Sequence, residues 1–213
     1  MTTVGLRERK KVQTRNALID AALDLFLTQG YEATTIDQIA AEVDVSPRTF
    51  FRYFASKEEV ALSLFADSLE IFLGDLAARP DSEPPYTALS QAMRSMVGAL
   101  QDVDPADAAR FVKARELTES TSALLAGQMR LLMENEKRLV AEVARRQGVG
   151  ADDLLPQFVV SVFTGIGMIC FGSGKQHLDV MAKRLEDVLT LADGSFRPGW
   201  DLPPADVSPS GDA

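Results

Sequence analysis

Apolar residues recur along this chain at helical spacing almost throughout, and no stretch alternates as a half-buried strand does. Leu18, Ala22, Leu25 and Phe26 fall at i, i+4, i+7 and i+8, which predicts a helix over residues 11–29, with Gly30 as its stop signal. Thr35-Ile36-Asp37-Gln38 has the capping-box pattern, and Ile36, Ile39, Ala40 and Val43 behind it make a short apolar face. Ser46-Pro47 starts another helix, with a cap followed by proline at the first helical position. Ser56-Lys57-Glu58-Glu59 is a second capping box and opens a long helix to about Arg79. After a PDSEPP linker at 80–85, the pattern predicts helices near 86–101, 105–118, 121–147, 153–173 and 177–192. Residues 194–213, rich in Pro, Gly, Asp and Ser, read as a loose tail. The predicted fold class is all-α.

The stretch "VSPRTFFRYFASKEE" at 45–59 concentrates aromatic and basic residues between helix caps. On a helix over 47–54, at about 100° per residue, Arg48, Thr49, Arg52 and Tyr53 share one arc and Pro47, Phe50, Phe51 and Phe54 the opposite one. The phenylalanines are expected to face inward and the donors outward. Two short helices joined by Asp44-Val45-Ser46, the second with a donor-rich outer face, describe a helix-turn-helix. Arginine pairs bidentately with guanine, and threonine reaches a base edge or a thymine methyl. The Tyr53 hydroxyl suits a phosphate, as do helix N-termini at Thr35, Ser46 and Ser56 and the Lys57 ammonium one residue into the next helix. Periodicity alone fits a solvated amphipathic helix equally well.

Charge tips that balance. The chain of 213 residues carries a net charge of −9, unevenly spread. Residues 1–57 hold 8 Lys/Arg against 7 Asp/Glu, and the arm Leu6–Arg15 alone is +4. The remainder holds 14 against 24, so only the head meets a phosphate backbone favourably. The single cysteine, Cys170, rules out an internal disulfide and suits a reducing cytoplasm. The N-terminus lacks the apolar segment of a signal peptide.

The segment "TRNALIDAALDLFLTQGYEATTIDQIAAEVDVSPRTFFRYFASKEEV" resembles the DNA-binding domain of TetR-family transcriptional regulators, with the likeness covering about residues 11–60. The resemblance implies a three-helix DNA-binding domain over 8–57 and a helical ligand-binding and dimerisation domain over 58–193. By resemblance, Thr35, Arg48, Thr49, Tyr53 and Lys57 lie at positions the family uses on DNA. Phe51 stands where the family often has a phosphate-contacting tyrosine; without a hydroxyl it counts as packing, at most a van der Waals neighbour of the DNA backbone. The family implies a homodimeric repressor on a palindromic operator of double-stranded DNA, released by a small molecule. A weaker resemblance, to acyl-CoA-like ligand binders and mycofactocin-system regulators, suggests a long-chain acyl-CoA or similar amphipath as effector.

Residues 154–174 carry no charge over a length that could span a bilayer, but Pro156, Gln157 and several glycines favour a buried helix over a membrane one. Ser161, Gly165 and Gly172 form a small-residue stripe, and Met181 and Leu185 belong to a second apolar face. Two such helices per subunit suit a four-helix dimer interface, also the family's usual arrangement. An apolar pocket is expected among the helices at 86–147, with Met93, Met96, Phe111, Met129 and Met133 as walls, though these also suit plain core. Arg115 is its polar candidate, for a ligand anion or for a surface acid. Nothing calls for a cofactor, metal or catalytic site: Gly165-Ile166-Gly167 lacks the third glycine of a dinucleotide fingerprint, His177 is the only histidine, and no zinc, phosphate-loop or nucleophile-elbow motif occurs. A helical adaptor or ligand-binding protein that does not act on DNA remains the alternative.

Overall fold

A computed structural model describes residues 5–171 and 178–203. Among these residues the chain forms nine helices and no strand. They are α1 (Leu6–Gln29), α2 (Ile36–Glu42), α3 (Pro47–Phe50), α4 (Lys57–Ala78), α5 (Pro85–Gln101), α6 (Pro105–Ser120), α7 (Ser122–Gln147), α8 (Leu154–Phe171) and α9 (Leu178–Ser195). The basic arm is thus the first turns of α1. Among the described residues, no helix is long and apolar enough to cross a membrane.

The chain divides into two compact units. One comprises Met1–Leu69 with Asp102–Leu132, the other Glu70–Gln101 with Met133–Ala213. The packing units therefore do not follow a linear cut at residue 57. In the first, Leu18, Ile19, Leu23 and Phe26 of α1 close over Ile39 of α2, Phe50 of α3, Leu117 of α6 and Leu124 of α7. Side chains of this size contribute about 1.5–3 kcal/mol each when fully buried. An ion pair fixes α6 on α1: Arg110 donates to both carboxylate oxygens of Asp20, at 2.6 and 2.8 Å, and also to Asp107. A bidentate, largely buried guanidinium fixes direction as well as distance.

The second unit centres on α5, α8 and α9, with Phe72 stacked on Phe163 at 5.6 Å. Its core includes the start of the expected tail. Trp200 stacks on Phe196 at 4.4 Å and packs on Tyr86 and edge-on to Phe158. The buried Asp201 carboxylate accepts the Tyr86 backbone N–H at 2.8 Å, and its carbonyl accepts the Gln147 side chain at 2.7 Å. Residues 194–203 are therefore packed structure. Their Pro and Gly content shapes turns, and the two aromatic rings supply the burial that a loose tail lacks. Residues 204–213 lie outside the described residues. The side chain of Arg146 is fully buried and donates to the carbonyls of Leu76, Arg79 and Pro80, which satisfies the C-terminus of α4.

Candidate nucleic-acid interface

Local chemistry sets each piece of the α2–α3 motif. Thr35 Oγ1 accepts from the Gln38 backbone N–H at 3.3 Å, and Gln38 Oε1 accepts from the Thr35 N–H at 2.9 Å, so the expected capping box is formed. Gln29 braces it, donating to Thr34 and to Gln38. After α2 the chain turns at Asp44, whose φ of 54° is left-handed, a conformation aspartate tolerates better than most residues. Val45 N–H returns to the Ala40 carbonyl and closes the turn. Ser46 Oγ then accepts the Thr49 N–H, with Pro47 in the first helical position of α3. At the start of α4, Ser56 Oγ accepts the Glu59 N–H, and the Glu59 carboxylate accepts the Ala55 N–H at 2.5 Å.

Phe50 and Phe54 are buried, anchoring α3 in the core. Arg48 and Arg52 are exposed, and Thr49 and Tyr53 are half-buried at the same outer surface. The Arg52 guanidinium lies 5.2 Å from the Tyr53 ring centroid, which steadies both. Thr35 and Ser46 are exposed at their helix starts. The donors gathered here are two guanidiniums and several hydroxyls, a set that can bond base edges and phosphate oxygens together.

Two residues depart from expectation. Phe51 is 55% exposed and belongs to the outer surface, touching the core only through an edge-on contact with Phe50. The regular helix ends at Phe50, and Phe51 lies about 80° from the mid-line of the Phe50–Phe54 stripe. Assigning all three phenylalanines to one inward arc was therefore too coarse. Lys57 is the other. Its ammonium donates to the carbonyls of Tyr31 at 2.8 Å, Glu32 at 3.3 Å and Thr34 at 3.5 Å, and lies 3.6 Å from the Glu32 carboxylate. It also sits 4.4 Å from the centroid of the Tyr31 ring. Burial, and then the Glu58 and Glu32 charges, push the Tyr31 phenol above its ordinary pKa, so that ring stays neutral. The contacts of Lys57 lie 23 to 26 residues away in sequence, beyond the reach of any local pattern.

Comparison with known proteins agrees with this geometry. The family profile of bacterial regulatory proteins of the tetR family matches residues 18–64, and the MftR C-terminal domain profile matches residues 84–196. The HTH-type transcriptional regulator TcmR of Streptomyces glaucescens is 43% identical over 197 residues, covering 91% of this chain and 87% of that protein. This chain belongs to the TetR family of transcriptional regulators. A second relative, the HTH-type transcriptional repressor KstR of Rhodococcus jostii, is 26% identical over 195 residues, covering 91% of this chain and 90% of its own. In fold, the chain is similar to a γ-butyrolactone receptor (ArpA-like protein), with a TM-score of 0.51 at 21% identity, covering 90% of this chain and 92% of that one.

The remaining expected residues of this TetR regulator are scattered. Met93 and Met96 are buried in the core of the second unit. Phe111 and Arg115 are half-buried on α6, where Arg115 donates to Glu119 at 2.8 Å. Met129 and Met133 are exposed on α7. None of the six lines either of two open clefts. One, of about 300 Å³, lies between α5 and α9 beside the Arg94–Glu186 ion pair. The other, of about 530 Å³, lies between the end of α1 and the α6–α7 junction. Met181 and Leu185 are 2% and 1% exposed, buried in the core on the inner face of α9. Among the described residues, the outer face of α8 instead carries Leu154, Phe158, Ser161, Gly165 and Met168 at i, i+4, i+7, i+11 and i+14, with Gly165 half-buried and the others exposed. A β-carbon at Gly165 would meet nothing within 4 Å. Val180 and Leu191 stand exposed on α9. Gly172 lies outside the described residues. Burial pushes the Cys170 thiol above its usual pKa, which leaves it a poor nucleophile.

Proposed function

We propose that this TetR-family regulator is a homodimeric repressor that reads a palindromic operator with α3 and leaves it when a small apolar or amphipathic ligand binds. The observation that carries the DNA reading is the exposed pair Arg48 and Arg52, presented by α3 and the turn that follows it, which buried Phe50 and Phe54 lock to the core. Arg48 reads bases, Thr49 contributes a base-edge or methyl contact, and Tyr53, Thr35 and Ser46 meet phosphates. The exposed basic residues Arg7, Arg9, Lys10 and Lys11 on the first turns of α1 add attraction that carries no sequence information.

The exposed apolar stripe of α8, with Val180 and Leu191 of α9, supports a two-fold interface. Ser161 and Gly165 within that stripe let a second helix approach closely. Met181 and Leu185 back the interface from inside the subunit. The description of KstR as a repressor supports the sign of regulation. For the effector, the pliable side chains Met93 and Met96 in the second unit suit an apolar ligand, and a long-chain acyl-CoA is the class to try first.

The test begins with selection of bound fragments from genomic DNA, followed by titration of the selected site. A palindromic site bound by a dimer is expected, and long-chain acyl-CoA is expected to lower its affinity roughly 5- to 150-fold. Failure to enrich any sequence would remove the operator reading. Enrichment without release by a panel of acyl-CoAs and fatty acids would remove the effector class alone.

A further inference from the structure

We infer that Lys57 controls DNA affinity as a positioning residue, holding the α1–α2 corner that carries the reading helix, without itself contacting phosphate. The inference rests on the DNA-binding reading above. An ammonium has three N–H donors. Those of Lys57 face three backbone carbonyls, of Tyr31, Glu32 and Thr34, and the Glu32 carboxylate. The Lys57 side chain is only 27% exposed, and its flank rests on the Tyr31 ring. A phosphate would have to displace these partners and would also meet the exposed negative charge of Glu32.

What the amine holds matters to DNA. The bonded carbonyls span the corner between Gly30 and α2. Thr34 also donates from Oγ1 to the Gly30 carbonyl and accepts from Gln29, which bonds in turn to Gln38 of the α2 capping box. Removing the amine leaves those carbonyls without their cation and loosens the entry into α2. Since α2 packs directly on α3, the reading helix moves with it.

The anchor is itself fixed. Glu58, the next residue, binds the Arg130 guanidinium of α7. Gly127 makes room for this: a β-carbon there would lie 2.5 Å from Glu58 Oε1 and 2.8 Å from Leu62 Cδ1. The first turn of α4 is therefore held on one side by α7 and itself holds the corner on the other.

The test uses the full chain on the operator selected above, with Lys57→Met and Lys57→Arg, each titrated across a range of salt concentrations. Removal of a charged hydrogen-bond donor from the corner is expected to weaken operator binding roughly ten- to a hundredfold. The slope of log affinity against log salt should stay at its wild-type value. Hydrogen exchange should quicken over residues 29–42 and stay unchanged in α5, α8 and α9. Lys57→Arg should not restore affinity, because a planar guanidinium cannot converge on these carbonyls as an ammonium does. The inference is overturned if the slope shallows by about 0.9 per subunit, or if Lys57→Arg restores wild-type binding, since each result marks a phosphate contact. Unchanged affinity in Lys57→Met overturns it equally. If the wild-type chain selects no site, the DNA-binding reading fails instead.

Discussion

Among the described residues, two exposed faces of this protein are chemically opposite. The outer side of α3 and the turn after it offers Arg48, Arg52 and hydroxyl groups, with one exposed ring at Phe51. The outer side of α8 offers Leu154, Phe158 and Met168 around small residues, without a single charge. An exposed cationic and hydroxylated face is stable in water and attracts phosphate. A contiguous apolar face is costly to hydrate and is relieved by a partner of the same kind. The contrast fits the proposed partners: nucleic acid for the first, a second copy of the chain for the second.

The comparison can be broken most sharply on the apolar face. Met168→Asp places an unpaired carboxylate in the proposed interface, which should cost about 3–5 kcal/mol of association. Sedimentation should show monomer, with subunit stability within about 0.5 kcal/mol of wild type, as for an ordinary surface change. An intact dimer would move the interface elsewhere. The reverse pattern is expected one face away. Leu185→Ala removes a core side chain and should lower folding stability by about 2–5 kcal/mol in a urea melt. A normal melt with a lost dimer would return Leu185 to the interface. The smallest effect belongs to Phe51→Ala. It should leave folding unchanged and weaken operator binding less than about tenfold, as one apolar contact on a polar surface would. A loss of stability comparable to that of Leu185→Ala would make Phe51 a core residue after all.

The head of the molecule was readable because its instructions are local. The Thr35–Gln38 box, the Ser46-Pro47 start and the Gly30 stop act within a few residues, and each forms as the spacing predicts. What local spacing does not reach there is lost to averaging and to distance. An arc drawn over eight residues put Phe51 inside, and the partners of Lys57 are more than twenty residues away. The body was less readable because α8 and α9 are apolar on more than one side. Periodicity found Met181 and Leu185 without saying that they serve their own core. Composition marked the segment after α9 as loose, while Trp200 and Asp201 close it against Tyr86, 115 residues from Asp201.

The central claim is that α3 reads base sequence. The direct measurement is equilibrium titration of wild type and Arg48→Ala against the selected operator and against a shuffled duplex, at the same salt. The account predicts that wild type prefers the operator by about a thousandfold or more. It predicts that Arg48→Ala loses about 1–3 kcal/mol on the operator and far less on the shuffled duplex, so that the preference narrows. Equal losses on both duplexes would contradict it, reducing Arg48 to a general phosphate contact.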